Sequence, residues 1–220
     1  MALLFEKGSK IVCIGDSITD FERARPVGEG LFGAIGKSYV GIVDGLLRAT
    51  DPTLHLRMIN MGIGGNTSRD LAARWQTDVL DLAPDYVTVL IGINDVWRQF
   101  DCPGMAEHHV TPEEYEENVR KMILAVKDSV KGVFILSPYY IEPNRQDRMR
   151  ARMDEYTAVC RRLAQEYGCR FVDFQAMFER YCAVRHSASV AWDRVHPNQI
   201  GSMLMAREFL DQCGFDFTKR

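Results

Sequence analysis

The sequence predicts a three-layer α/β/α domain built on a five-stranded parallel sheet. Three observations carry this expectation: short β-branched runs alternate with amphipathic segments, the runs are apolar throughout, and polar motifs follow several of them directly. Such alternation is expected where crossover helices join parallel strands, and unbroken apolar runs suit strands covered on both faces. At 220 residues, 46% hydrophobic and 26% charged, the chain has material for one substantial core, and residues 1–220 are read as one domain.

The strands are expected at residues 11–14, 54–60, 86–91, 133–136 and 170–172. Between them the apolar period becomes helical. Leu71, Trp75, Val79 and Leu82 share one face, and Pro84 stops the segment. Thr111-Pro112-Glu113-Glu114 opens a helix, with Thr111 as cap, Pro112 in the first turn and Glu114 completing a capping box. Its buried stripe is Tyr115, Val119, Met122, Ile123 and Val126. Met149, Met153, Tyr156, Cys160, Leu163 and Tyr167 form another, ended where Gly168 can turn left-handed. The last helix starts near Pro197 and carries Ile200, Leu204 and Phe209. No internal repeat and no Pro/Gly/Ser linker divides the chain.

Composition removes several function classes. Twenty-seven Lys and Arg against 30 Asp and Glu leave a net charge of −3, with no basic excess to grip nucleic acid. No run approaches the roughly 18 apolar residues of a membrane span. The apolar residues 2–5 are too short for a secretory signal and are followed at once by Glu6 and Lys7, so a cytoplasmic protein is expected. Six cysteines (Cys13, Cys102, Cys160, Cys169, Cys182, Cys213) without a C-x-x-C pair fit reduced thiols, mostly small buried apolar residues, better than a disulfide or zinc framework.

In an open parallel sheet, ligands bind at the carboxyl ends of the strands, here just after Ile14, Asn60, Ile91, Leu136 and Val172. After the first strand, Gly15-Asp16-Ser17-Ile18-Thr19 puts a serine on the turn; in isolation the favoured reading of Asp16 and Ser17 is a helix cap. After the second, the glycines of Asn60-Met61-Gly62-Ile63-Gly64-Gly65-Asn66-Thr67 let backbone N–H groups approach a negative oxygen at a helix start. A plain turn capped by Thr67, with Asp70 behind it, is compatible with that. After the third, Gly92-Ile93-Asn94-Asp95 offers the Asn94 amide to the same oxygen. Asp193-Arg194-Val195-His196-Pro197 sets a carboxylate three residues before an imidazole, near enough to orient it.

Each motif alone is commonplace; their conjunction at converging strand ends is not. Together they resemble the SGNH (GDSL) hydrolase family, whose blocks stand here as GDSIT, the glycine of GIGGNT, GIND and DRVHP, in order across nearly the whole chain. GDSITDFERARPVGEG, IGINDVWRQF and AWDRVHP resemble its intracellular acetylxylan esterase branch. The resemblance implies the flavodoxin-like SGNH fold, with Ser17 as nucleophile, His196 as base and then acid, and Asp193 orienting His196. It implies an oxyanion hole from the N–H groups of Ser17 and Gly65 and the amide of Asn94. Ile18 stands where the family's name-giving tetrapeptide has leucine, and an aliphatic side chain takes no part in proton transfer.

Such a cycle needs no metal or organic cofactor. The partner it implies is a small acetylated xylo-oligosaccharide. A broader carboxylesterase, thioesterase or lysophospholipase, and a non-catalytic sugar-binding module, are the alternatives. Trp97 and Arg98 follow the oxyanion motif, Trp192 precedes Asp193 and Tyr139-Tyr140 follow the fourth strand, so these join Asp16 as substrate-binding candidates. Tyr139, Tyr140 and Trp192 read equally as core or oligomer packing, and a homo-oligomer is expected.

Three further patterns are decoys. Gly28-x-Gly30-x-x-Gly33 follows Arg25-Pro26 where a dinucleotide fold needs a strand, and reads as a loop. Gly36-Lys37-Ser38 lacks the earlier P-loop glycine, which would fall at Leu31. His108-His109 has no neighbouring ligands at metal spacing and reads as a surface pair. The absence of G-x-S-x-G argues against an ordinary α/β-hydrolase elbow.

Overall fold

The computed structural model describes residues 3–218; Ala2, the first residue of the apolar run 2–5, and the outermost ends of the expected domain lie outside them. Five parallel strands, β1 (Lys10–Gly15), β2 (Arg57–Gly62), β3 (Tyr86–Leu90), β4 (Gly132–Leu136) and β5 (Arg170–Val172), are ordered β2-β1-β3-β4-β5. Helices α1 (Ser17–Asp20), α2 (Tyr39–Thr50), α3 (Ser68–Ala73), α4 (Ile93–Asp101), α5 (Pro112–Val126), α6 (Arg148–Tyr167), α7 (Phe174–Cys182) and α8 (Gln199–Gln212) fill the connections. Helices α2, α7 and α8 pack together, as do α3, α4, α5 and α6, forming the outer layers. β1 to β3 are buried along nearly their full length, as their unbroken apolar runs require.

The register decides where chemistry can occur. Gly15 pairs with Gly62 and Leu90, Leu90 with Leu136, and Leu136 with Val172, so the strands end level. The chain leaves β1 towards β2, then returns past it to β3. β1 therefore lies at the point where the connection reverses, the crevice such sheets use for ligands.

The buried stripes of α5 and α6 are as expected, Tyr167 being only partly covered, and Gly168 ends α6 at φ 67°. Four details differ. Residues 52–54 form a 3₁₀ turn, and β2 begins only at Arg57. The Leu71 segment is broken after Ala73 and continues as a π turn (Gln76–Leu80), which keeps Trp75 and Val79 buried while Leu82 is only partly covered. In α8 the buried face is Gly201, Ser202, Met205, Ala206, Phe209 and Leu210, leaving Ile200 exposed. Thr111 caps α5, but Glu114 does not close a capping box: both its oxygens bond the Arg69 guanidinium, an ionised donor that outcompetes a backbone N–H. Cys13, Cys160 and Cys213 are buried, whereas Cys102, Cys169 and Cys182 are only partly so; all six are free thiols.

Candidate active site

At the end of β1 the Asp16 carboxylate turns back to accept from the Ile18 N–H at 2.9 Å, starting α1 at Ser17. The turn lies hard against β3. A Cβ on Gly15 would come within 2.3 Å of Thr19 Oγ1 and 2.6 Å of the Leu90 carbonyl, so only glycine fits. Ile18 points into the core.

Ser17 Oγ lies 2.8 Å from His196 Nε2, and His196 Nδ1 lies 2.6 Å from Asp193 Oδ2. A carboxylate can only accept, so Nδ1 carries the ring proton and Nε2 is free to accept from Ser17. Asp193 Oδ1 takes the N–H groups of Val195 and His196 at 3.0 and 2.8 Å. Burial works to raise the Asp193 carboxyl, but the bonds from the His196 ring and these two N–H groups outweigh it and hold it below the ordinary carboxylate range. The loop is pinned from the segment after β4: Ile141 N–H donates to the Arg194 carbonyl at 2.9 Å, Tyr139 O–H to the Val195 carbonyl at 3.2 Å, and Arg194 pairs with Glu142.

The glycine loop after β2 abuts this serine; a Cβ on Gly64 would lie 3.8 Å from Ser17 Cβ. Asp20 Oδ2 accepts the Gly64 N–H at 3.1 Å. Gly65 then takes φ 81°, a left-handed conformation that costs glycine little. Among the described residues, neither the Gly65 N–H nor the Ser17 N–H has a hydrogen-bond partner. Asn94, buried on the first turn of α4, donates from Nδ2 to the Asn66 carbonyl at 3.0 Å and accepts at Oδ1 from Arg98 at 3.3 Å. A carbonyl only accepts and a guanidinium only donates, so the amide is oriented and one Nδ2 hydrogen remains unused.

Aromatic rings flank the imidazole, Trp97 at 6.0 Å and Phe21 at 6.4 Å between centroids. Arg98 lies over Trp97 at 5.5 Å and pairs with Asp101. Beside the His196 loop opens a cavity of about 450 Å³ whose walls include Phe21, Ile42, Pro197 and Met203. Tyr140 is partly buried, and Trp192 is 86% exposed.

Two substrate-binding expectations are corrected. Asp16 is 1% exposed, and its carboxylate serves the backbone; burial foremost, then the charge of Asp95, pushes it up to about 7. Tyr139 is fully buried against Phe178 and its O–H supports the histidine loop, which leaves it no exposed surface to offer a ligand. His108 closes a 3₁₀ turn, and His109 Nε2 faces the Cys102 carbonyl at 3.0 Å.

Sequence reasoning missed Asp20, Asp95 and Arg74. Asp95 is fully buried, accepts the Ser68 N–H at 3.0 and 3.1 Å, and so ties α4 to α3; burial raises it to about 6. Asp20 directly follows GDSIT and Asp95 closes GIND, so both were within sight. Arg74, on the turn after α3, carries no motif.

An α/β/α sheet that sets a hydroxyl, an imidazole and a carboxylate in hydrogen-bonded series at its switch point has the architecture of a serine hydrolase. The model of the GDSL-like lipase/acylhydrolase family matches residues 13–204, and the chain belongs to that family. It is 51% identical over 212 residues to the acetylxylan esterase of Geobacillus stearothermophilus, covering 96% of this chain and 97% of that protein. The crystal structure of that organism's acetylxylan esterase Axe2 superposes with a TM-score of 0.96 at 50% identity, over 97% of this chain and 98% of that one. Solved catalytic mutants of Axe2 have a serine, an aspartate or a histidine replaced by alanine. LAE5, an α/β hydrolase from the metagenome of Lake Arreo, Spain, superposes at 0.95 with 52% identity over 97% and 98%. The family read from the four motifs is therefore the family found.

Proposed function

We propose that this chain deacetylates small acetylated xylo-oligosaccharides by a serine acyl-enzyme route. The single observation that carries the reading is the unbroken series Ser17 Oγ to His196 Nε2 at 2.8 Å and Nδ1 to Asp193 Oδ2 at 2.6 Å. A serine hydroxyl is a poor nucleophile until a base takes its proton. As Ser17 Oγ attacks the acetyl carbonyl, His196 takes that proton, and Asp193 stabilises the imidazolium. The carbonyl oxygen becomes an oxyanion, for which the unpartnered Ser17 and Gly65 N–H groups and the remaining Asn94 Nδ2 hydrogen are available. Such prearranged donors are worth roughly 3 to 4 kcal/mol each in other hydrolases. Collapse returns the His196 proton to the leaving sugar hydroxyl and leaves acetyl-Ser17. Water, deprotonated by the same imidazole, then releases acetate.

Trp97, Arg98, Tyr140 and Trp192 are assigned to the sugar, and the cavity beside the His196 loop offers room for the leaving alcohol. The similarity to an acetylxylan esterase supports acetyl as the acyl group. Free thiols support a reducing, cytoplasmic setting, and among the described residues no helix is long and apolar enough to cross a membrane. The exposed Leu31, Phe32 and Trp192 support self-association into a homo-oligomer.

The test is acetate release from peracetylated xylose and acetylated xylo-oligosaccharides against p-nitrophenyl octanoate hydrolysis, with wild type and Ser17→Ala in parallel. Fast sugar deacetylation that vanishes in Ser17→Ala is expected. Preference for octanoate would move the protein to a lipid or thioester substrate, and turnover of neither would make it a binding module.

A further inference from the structure

The three oxyanion donors lie on three separate segments: Ser17 after β1, Gly65 in the loop after β2, and Asn94 on α4. The sheet register and the Ile63 N–H bond to the Gly15 carbonyl at 3.0 Å bring the first two together through the backbone, but Asn94 is joined to the glycine loop by a side-chain bond. One side chain bonds to the first two of these segments and reaches the third through Asn66. Arg74 donates from one terminal nitrogen to the Gly15 carbonyl at 2.9 Å, and from the other to the Met61 carbonyl at 2.8 Å and to Asp78 at 2.6 Å. Its Nε donates to Asn66 Oδ1 at 2.8 Å. Gly15 lies two residues before Ser17. Met61 and Asn66 bracket the loop that carries Gly65, and the Asn66 carbonyl is the group that holds Asn94 Nδ2 at 3.0 Å.

We propose that Arg74 is a positioning residue, whose guanidinium fork holds the oxyanion donors of Ser17, Gly65 and Asn94 at fixed separations. This rests on the ester-hydrolysis reading above. The planar fork matters more than the charge, since a lysine ammonium offers a single nitrogen in place of three set in one plane. Arg74 makes no hydrogen bond or ion pair with the Ser17, His196 or Asp193 side chains, so its loss keeps the bonds of the proton relay and loosens the groups that stabilise the transition state. A misplacement of about 1 Å at such donors costs about 10²-fold.

The experiment measures kcat, KM and the pH profile of acetyl-ester hydrolysis for wild type, Arg74→Gln, Arg74→Lys, Asn94→Ala and the Arg74→Gln/Asn94→Ala double variant, with Ser17→Ala as reference. Expected are a kcat loss of about 10 to 10²-fold in both Arg74 variants, a nearly constant KM, an unmoved acid limb, and only a few-fold further loss when Arg74→Gln is added to Asn94→Ala. Asn66→Ala cuts the link to the glycine loop alone; it should reproduce the kcat loss even if Arg74→Gln fails to fold. Full multiplication of the two single losses, a rise in KM at constant kcat, a shifted acid limb, or full rescue by lysine would each overturn the proposal. If hydrolysis does not depend on Ser17, the ester reading falls and this proposal with it; dependence on Ser17 with multiplicative losses overturns this proposal alone.

Discussion

Replacing Asp193 by asparagine changes one atom of the relay and reverses its polarity. Asparagine is isosteric, and its carbonyl can keep the two backbone N–H bonds now made by Oδ1 at 3.0 and 2.8 Å. Its amide nitrogen then replaces Oδ2, which lies 2.6 Å from His196 Nδ1. Two N–H donors cannot face each other at that distance, so the ring is driven to the tautomer with a bare Nδ1 and a protonated Nε2. That Nε2 cannot accept from Ser17. By analogy with serine proteases the expected loss is about 10⁴ in kcat, about 5 kcal/mol of transition-state stabilisation, with KM little changed. The assay is steady-state hydrolysis of p-nitrophenyl acetate at pH 7.5, with denaturant unfolding beside it. The native bonds hold the Asp193 carboxyl below its unfolded value of about 3.9. The stability they add is therefore present above that pH and lost as pH falls through the lower folded value. Wild type should be the more stable protein at pH 7, the gap narrowing below about pH 4. A kcat within tenfold of wild type in a folded variant would refute the assignment of Asp193 as the residue that sets the tautomer.

Three other outcomes follow from the same geometry. Asn94→Ala should lower kcat by about 10² to 10³-fold, while the loss of its bonds to the Asn66 carbonyl and from Arg98, about 1 to 3 kcal/mol together, moves Tm by about 2 to 10 °C; unfolding in place of slow turnover would show that the amide is a structural tie. Asp16→Asn keeps the cap on Ile18 and removes a buried acid whose folded value, about 7, lies above the unfolded one. For such a group stability is greatest below about pH 4 and declines as pH rises towards the folded value. Wild type should therefore lose urea resistance between pH 5 and 8, and Asp16→Asn should lose less and be the more stable at pH 8, Asp95 supplying the residual slope; an unchanged slope would count against the buried acid. Trp97→Ala should raise KM for acetylated xylo-oligosaccharides about 2 to 10-fold, the worth of one aromatic face, with vinyl acetate turnover little altered. An equal loss on both esters would place Trp97 in support of His196 alone.

The elements that were legible are those whose signal is local. The stripe from Tyr115 to Val126 and the Gly168 stop need only a 3.6 period and one left-handed residue. The relay was legible because Asp193 and His196 lie three residues apart and the motif around Ser17 is distinctive. Helix α2 also had a readable pattern, with Ser38 as cap and Tyr39, Val40, Val43 and Leu47 buried, but its neighbourhood reads as a glycine-rich loop. Helix α4 was hidden because Gly92-Ile93-Asn94 is written in turn residues. Glu114 left its capping box because Arg69, 45 positions away, offered a better donor.

By itself, then, the sequence determined the layered α/β fold and the family, and pointed to Ser17, Asp193 and His196, which the structure sets in one hydrogen-bonded series, because strand patterning, helix period and short motifs are properties of adjacent residues. Only the tertiary structure decided that Asp16 and Tyr139 face the protein and not a ligand, that Phe21 shares the imidazole with Trp97, and that Arg74 bridges the ends of β1 and β2. These depend on the level ends of neighbouring strands, where groups tens of residues apart come within hydrogen-bond reach. No local pattern encodes a distance of that kind.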